Sequence, residues 1–360
     1  MSRKKSKKYR VVGFLIILLP LILFFVLSNR QLRVDKNITE NPDTQILNTN
    51  LSPITGLACA NYNRRPFAVI LAGDEVARPL SGIQSADMVF EMTVIENEMT
   101  RLMAVYICGN PLEIGSIRSA RHDFIPLAMG LDAIFVHWGG SHFALDKLET
   151  GIIDNIDALI YSQSAFWRKS SVLAPHNGFT NIDKLTSQAE KLNYQMESKF
   201  EGYKHKPLAT GHLLLDKKSQ QPVSSAQRLV IGYPGLYEVR WDYNPETNIY
   251  WRWRGGREEK DYLTNEQVGA KNIIIMRAES RILEDQYNDV NIEGDGTAAF
   301  YIDGEEIKGT WAKKGNYSSS KLYFYDDSGN EIQFEPGKIW VEIIEPDKMV
   351  KYVSVSAVIN

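Results

Sequence analysis

The chain has 360 residues and a formal net charge of −3, with 44% hydrophobic and 24% charged residues. That length carries two ordinary domains plus accessories, and that balance excludes a disordered or collagen-like chain. The first ten residues hold six Lys/Arg and no acid, which leaves 35 basic against 44 acidic residues, or −9, in the remainder; so acidic a body is a poor general nucleic-acid binder, because phosphate neutralisation needs clustered cations.

The apolar run Val11 to Leu27 is interrupted only by Gly13 and Pro20. At a helical rise of ~1.5 Å per residue it just spans a bilayer core of ~30 Å. Residues 11–28 are therefore expected to form a transmembrane signal anchor, with the basic residues 1–10 held in the cytoplasm by the positive-inside rule. A cleaved signal peptide is the competing reading; no small-x-small site follows the run, which exits through Ser28, Asn29, Arg30 and Gln31. Residues 29–51 are polar and aperiodic, as a tether would be, and place the body outside the cytoplasm.

From residue 52 to about 205, strand and helix patterns alternate. Pro66–Leu71, Asp87–Ile95, Leu102–Ile107 and Ala133–Trp138 are short apolar strands. Ser119–Gly130 is a helical stretch with Phe124, Leu127, Ala128 and Leu131 at helical spacing, kinked or shortened by Pro126, and Ile182–Leu192 is a second helix capped by Thr180 or Asn181. Alternation of this kind predicts an α/β layered domain. From 206 to 360 β-branched and aromatic runs recur between turn residues: Tyr237–Trp241, Ile249–Arg254, Lys271–Met276, Ala298–Ile302, Leu322–Tyr325 and Ile339–Ile344, with Asp303-Gly304 and Ser328-Gly329-Asn330 at hairpin positions. The expected class is α+β: an α/β domain, then a mostly antiparallel β domain, behind one transmembrane helix.

The densest chemistry lies between Arg101 and His142. In Gly115-Ser116-Ile117-Arg118-Ser119-Ala120-Arg121-His122, Arg118 and Arg121 share a face if the helix begins by Ile117, and paired guanidinium groups there suit phosphate or carboxylate. Equally open is pairing of both arginines with Asp87, Glu91 or Asp123 inside the domain. Val136-His137-Trp138-Gly139-Gly140-Ser141-His142 ends the fourth strand, where ligands of α/β domains gather. Phe143 stands where a nucleophile elbow needs Gly, and no acid or cysteine completes a familiar metal spacing with His137 and His142. Phe166-Trp167-Arg168 and Ala174-Pro175-His176-Asn177 sit in a long irregular segment, as a ligand cover or a hydrophobic plug. Asp289-x-Asn291-x-Glu293-Gly294 opens like a calcium loop, but Phe300 occupies the twelfth position, so no calcium site is expected and Gly294-Asp295-Gly296 reads as a turn.

The only cysteines, Cys59 and Cys108, lie in the part placed outside the cytoplasm, which favours a disulfide over two reduced, buried thiols. If the first and third strands are neighbours in the sheet, the two sulfurs can meet at one edge.

The runs RRPFAVILAG, ARPLSGIQSADMVFE, TRLMAVYI, IGSIRSARHDF, DAIFVHWGGS, FWR and APHN, with NIIIMRAES, GDGTAAFYIDGEEIKGTWAKK and GKIWVEII further on, resemble the YerB-like lipoprotein family of Gram-positive bacteria over roughly residues 53–345. The resemblance implies an N-terminal domain of unknown function, a smaller C-terminal β domain and a membrane-attached, extracytoplasmic protein. It brings no established reaction, and this chain has an apolar run where family members often carry a lipobox cysteine. Its motif positions make Arg101, Arg118, Ser119, Arg121, His137, Ser141 and His176 the candidate ligand-binding residues. No cofactor or metal is expected, no residue has an evident catalytic role, and nucleic acid is not an expected partner. Two functions follow: an envelope binding or scaffold protein that holds an anionic ligand or a protein partner, or an envelope enzyme acting on a phosphorylated lipid-linked or glycan substrate.

Overall fold

A computed structural model describes residues 50–95, 99–208, 226–233, 235–284, 286–313 and 319–355. The anchor expected at 11–28 lies outside these residues; among the described residues no helix is long and apolar enough to cross a membrane.

In chain order the first half carries β1 (Phe67–Ala72), β2 (Met88–Ile95), β3 (Met99–Tyr106), β4 (Ile114–Gly115), α1 (Phe124–Gly130), β5 (Ile134–His137), α2 (His142–Glu149), β6 (Asn155–Asp157), α3 (Ala158–Tyr161), β7 (Trp167–Arg168), β8 (Gly178–Thr180) and α4 (Ile182–Lys191). The second half is strand almost throughout: β9 (Lys204–His205), β10 (Ala226–Ile231), β11 (Val239–Asn244), β12 (Ile249–Arg254), β13 (Arg257–Glu258), β14 (Gly269–Ala270), β15 (Asn272–Arg277), β16 (Ser280–Leu283), β17 (Tyr287–Val290), β18 (Gly294–Ile302), β19 (Glu305–Lys313), β20 (Tyr323–Asp326), β21 (Gln333–Phe334), β22 (Ile339–Ile344) and β23 (Val350–Val355).

Ten strands form one sheet in the order β20-β19-β18-β15-β22-β2-β3-β1-β5-β6. Strand β22 lies between β15 and β2 and is parallel to both, so the sheet runs across the boundary expected near residue 205. The antiparallel expectation for the second half therefore holds for β18, β19 and β20 but not for the β15–β22 pair. Central strands such as FAVILA and IWVEII are buried along their whole length, as strands covered on both faces must be. One face packs Ala68, Ile70, Phe90 and Met103 against Phe124 and Leu127 of α1. The other packs Val69, Val89 and Trp340 against Leu185 of α4 and against Trp241 and Tyr250 of a second sheet, ordered β13-β12-β11-β10-β23.

The helix expected from Ser119 begins only at Phe124. Before it, Ile117 bridges Leu71 and the Arg118 amide donates to the Ile70 carbonyl at 2.9 Å, so this backbone is spent on the β1 edge. Pro126 then falls in the first helical turn, where a missing N–H costs nothing. Arg118 and Arg121 consequently precede the helix and do not share its face. Helix α4 matches expectation, with Asn181 Oδ1 accepting the Lys184 amide at 2.9 Å as its N-cap.

Between the sheets lies a buried charge network. Arg252, 0% exposed, donates to Glu259 and Glu342 at 2.5 Å each and also to Glu91. Arg254 pairs with the other Glu91 oxygen at 2.5 Å and donates to the Thr100 hydroxyl. Burial opposes the Arg252 charge, but three surrounding carboxylates raise its pKa. Glu342 is pushed up to about 7 by burial, against the pull of Arg252.

Strands β1 and β3 are antiparallel neighbours, with Phe67 opposite Tyr106; Cys108, two residues past β3, and Cys59, eight residues before β1, form a disulfide. Two free thiols per chain on labelling of the denatured, unreduced protein would contradict it. The bond closes a loop with a sequence separation of 49, so its removal by a double Cys→Ser change should cost up to about 4 kcal/mol on loop-entropy grounds. Arg252→Met strands three buried carboxyls and should lower stability by about 3–5 kcal/mol, read from urea unfolding; a change as small as that of a surface substitution would show that the network is not stabilising.

Candidate functional site

Strand β1 delivers Asp74 two residues past its end, next to Arg101 of β3, which stands opposite Ala72. Gly73 permits this approach, since a Cβ there would lie 2.3 Å from the Thr100 carbonyl oxygen. Arg101 Nη1 donates to Asp74 Oδ2 at 2.9 Å. Arg118 Nε and His176 Nδ1 approach the same oxygen, at 4.0 and 3.9 Å. Arg118 Nη1 also donates to the Pro175 carbonyl at 3.2 Å, tying the segment before α1 to the loop that carries His176. Their side chains are largely covered: 3% exposed for Arg101, 11% for Asp74, 12% for His176 and 17% for Arg118.

Several polar atoms of this cluster are buried without a hydrogen-bond partner among the described residues: the Nε atoms of Arg101, Arg118 and Arg121, His176 Nδ1 and Ser116 Oγ. Burial draws the Arg101 pKa down to about 10, with Asp74 opposing and the Arg118 and Arg121 charges adding to the fall. Burial and the neighbouring Arg118 also lower His176. Arg121 sits at the margin: Nη1 donates to the Ala120 carbonyl at 3.0 Å, and its guanidinium lies 5.7 Å from the Tyr287 ring centroid.

Of the sequence candidates, Arg101, Arg118 and His176 thus come together, with Arg121 adjoining. Ser119 contributes its backbone carbonyl, 3.5 Å from Arg121 Nη1. His137 is buried between the Gly139 carbonyl, at 2.8 Å, and the Asn155 side chain, at 3.2 Å. Ser141 caps α2 by accepting the Ala144 amide at 3.3 Å. The internal partners considered for the arginines are engaged elsewhere: Asp87 accepts the amides of Ile107, Cys108 and Gly109, and Glu91 belongs to the Arg252 network. The carboxylate that meets Arg118 is Asp74, two residues past β1 and outside every motif. Arg168 is exposed, its guanidinium 4.2 Å from the Trp138 ring centroid and bonded to Asn177, and it covers Trp138.

A second cluster opens from the residues that follow Arg121. His122 Nε2 lies 3.1 Å from Asp123 Oδ1 and 3.0 Å from Asp289 Oδ1. The trio borders a cavity of about 450 Å³ that Lys147, Arg281 and Glu293 also line. Burial, reinforced by Asp289, pushes the Asp123 carboxyl up to about 7. Burial lowers His122, against the opposing pull of Asp289. Spacing could not reveal this group, because Asp289 is 167 residues from His122. Gly294-Asp295-Gly296, expected as a turn, opens β18 opposite Trp311–Lys313.

Residues 54–195 match the N-terminal domain, and residues 229–341 the C-terminal domain, of a protein family of unknown function, DUF3048. YerB of Bacillus subtilis (strain 168), named as a candidate lipoprotein, is 31% identical over 303 residues, covering 82% of this chain and 86% of YerB. The crystal structure of Bacillus subtilis YerB superposes with a TM-score of 0.73 at 28% identity, covering 84% of this chain and 99% of that one. The two domain matches together cover more than half of the chain and YerB matches most of it, so the chain is a member of the DUF3048 family, similar to YerB along most of its length.

Proposed function

We propose that this is a membrane-attached, extracytoplasmic cell-envelope protein that binds an anionic group at the Arg101–Arg118–His176 cluster, with Arg121 at its margin. The observation that carries the reading is an imbalance of charge. Among the described ion pairs Arg101 and Arg118 share one carboxylate, Asp74, and Arg121 has none. A phosphate or carboxylate supplies the missing acceptors, and guanidinium forks suit such oxygens. Attachment outside the cytoplasm is supported by the candidate-lipoprotein naming of YerB, by the apolar run behind a basic flank, and by the disulfide, which belongs to an oxidising compartment.

One observation favours the enzyme reading, in which a phosphorylated lipid-linked or glycan substrate is turned over: the Asp123 carboxyl at about 7, bordering a cavity beside Arg121. Calorimetric titration with inorganic pyrophosphate separates the two, since steady release of phosphate during the titration marks an enzyme and saturable binding without turnover marks a binder.

Charge-assisted hydrogen bonds of this kind are worth about 1.5–3 kcal/mol. Arg118→Ala should therefore weaken pyrophosphate binding by about 10- to 150-fold while leaving the unfolding midpoint nearly unchanged. A large loss of stability with unaltered affinity would make Arg118 a structural partner of Asp74.

The pH dependence has a definite sign. His176 lies below the ordinary histidine value, so it is neutral at pH 7, and a bound anion favours its cation. Binding then takes up a proton. Affinity for sulfate, whose own charge is constant here, should rise as pH falls from about 7 to about 5.5, through the histidine range. His176→Gln should flatten that slope; an unchanged slope removes His176 from the site.

A further inference from the structure

We propose that His122, Asp123 and Asp289 form a binding site for a first-row divalent cation, zinc or manganese. Each offers one ligand atom, and the three atoms lie within 4.8 Å of one another. With metal–ligand bonds of about 2.1 Å, the edge of a tetrahedral site is about 3.4 Å. The two measured edges from His122 Nε2, 3.1 Å to Asp123 and 3.0 Å to Asp289, are close to that value. The third pair, Asp123 and Asp289, lies within 4.8 Å, so an ion at this position is reached by adjusting these side chains.

A second observation points to a missing ligand. Asp123 is 3% exposed, and its Oδ2 has no hydrogen-bond partner among the described residues. A buried carboxylate oxygen left in that state is costly. Oδ1, the oxygen that faces His122, also accepts the Val290 amide at 3.2 Å, so the unpartnered Oδ2 belongs to the same carboxylate but is not the atom of the 3.1 Å edge. Asp289 is oriented too: Arg281 Nε holds its Oδ2 at 2.7 Å, while Oδ1 faces His122. Two carboxylate oxygens therefore face one imidazole nitrogen, and a divalent ion among them compensates both negative charges.

The charges around the cavity are mixed. Lys147 of α2 and Arg281 of β16 oppose a cation, while Glu279 and Glu293 line the same cavity and favour one. The nitrogen ligand argues against calcium and magnesium, which prefer all-oxygen shells, and one imidazole with two carboxylates suits zinc or manganese. Three protein ligands leave a position open to water or to an oxygen anion entering the cavity. Arg121 adjoins both clusters, yet the cation site does not depend on the anion-binding proposal, and Arg118 takes no part in it.

The test uses the full chain in detergent, stripped with a chelator and titrated with zinc chloride and with manganese chloride in an inert buffer. One saturable equivalent is expected for at least one ion. Asp289→Asn and His122→Gln should each weaken it by more than the roughly 10–100-fold lost when an outer-shell partner of a metal ligand is removed, whereas Arg118→Ala should leave it unchanged. Cobalt loading supplies a second readout: d–d absorption of a low-symmetry site in the native chain, lost in His122→Gln. Circular dichroism verifies that each variant is folded. Absence of saturable binding for both ions, or equal affinity in native, Asp289→Asn and His122→Gln chains, overturns the proposal.

Discussion

Two carboxylates stand side by side in the middle of the large sheet. Glu91 of β2 and Glu342 of β22 are register partners, both 0% exposed. Neighbouring strands are about 4.8 Å apart, so two buried acids at this spacing repel unless a cation joins them. Arg252 reaches them from the second sheet, against the packed rings of Trp340 and Trp241, whose centroids lie 4.2 and 4.9 Å from its guanidinium carbon. A guanidinium whose donors must meet Glu91, Glu259 and Glu342 permits one register, which is the best-attested use of a buried ion network.

That constraint extends toward the candidate site. Arg254, two residues along β12, pairs with Glu91 and donates to the hydroxyl of Thr100. Thr100 and Arg101 are consecutive in β3 and take opposite faces of the sheet. The strand pinned from one side by Arg254 thus presents Arg101 to Asp74 on the other. The segment from Arg118 to Asp123 has a comparable double duty. Its backbone is committed to β1 and, through the Ala120 amide, to the Gly139 carbonyl, while its side chains serve two clusters in turn. Arg118 approaches Asp74, Arg121 lies at the margin of that cluster, and His122 and Asp123 border the cavity. A short stretch without regular structure is therefore fixed as firmly as a strand.

Much of this was legible in the sequence, for identifiable reasons. Both-face burial leaves continuous apolar runs, so β1, β5 and β22 could be placed to within a residue or two. Asp303-Gly304 announced the β18–β19 hairpin because both residues adopt positive φ there, 55° and 79°. The disulfide followed from compartment and strand adjacency. Arg101, Arg118 and His176 stood out as functional residue types in motifs shared with a known family. Their common partner Asp74 did not, because its importance comes from the β1–β3 register and not from its neighbours in sequence. His122 and Asp289 were hidden by distance along the chain. The start of α1 was misplaced because periodicity cannot sense that the backbone before Phe124 is already bonded to β1.

The position of β22 bears on how the molecule can be assembled. Strands β1, β2 and β3 lie close together in the chain, so they can pair without residues 339–344. Until β22 arrives, one side of β2 is a long, apolar, unsatisfied edge, the kind that recruits strands from other chains. The antiparallel β15–β18–β19 set, with the β16–β17 hairpin inserted between β15 and β18, has an equivalent open edge at β15. Only when the last strand of the large sheet inserts between them do both edges disappear. The chain is thus closed by its own late segment, as a keystone closes an arch, and the interval before closure is when a newly made molecule most needs to be kept from its siblings.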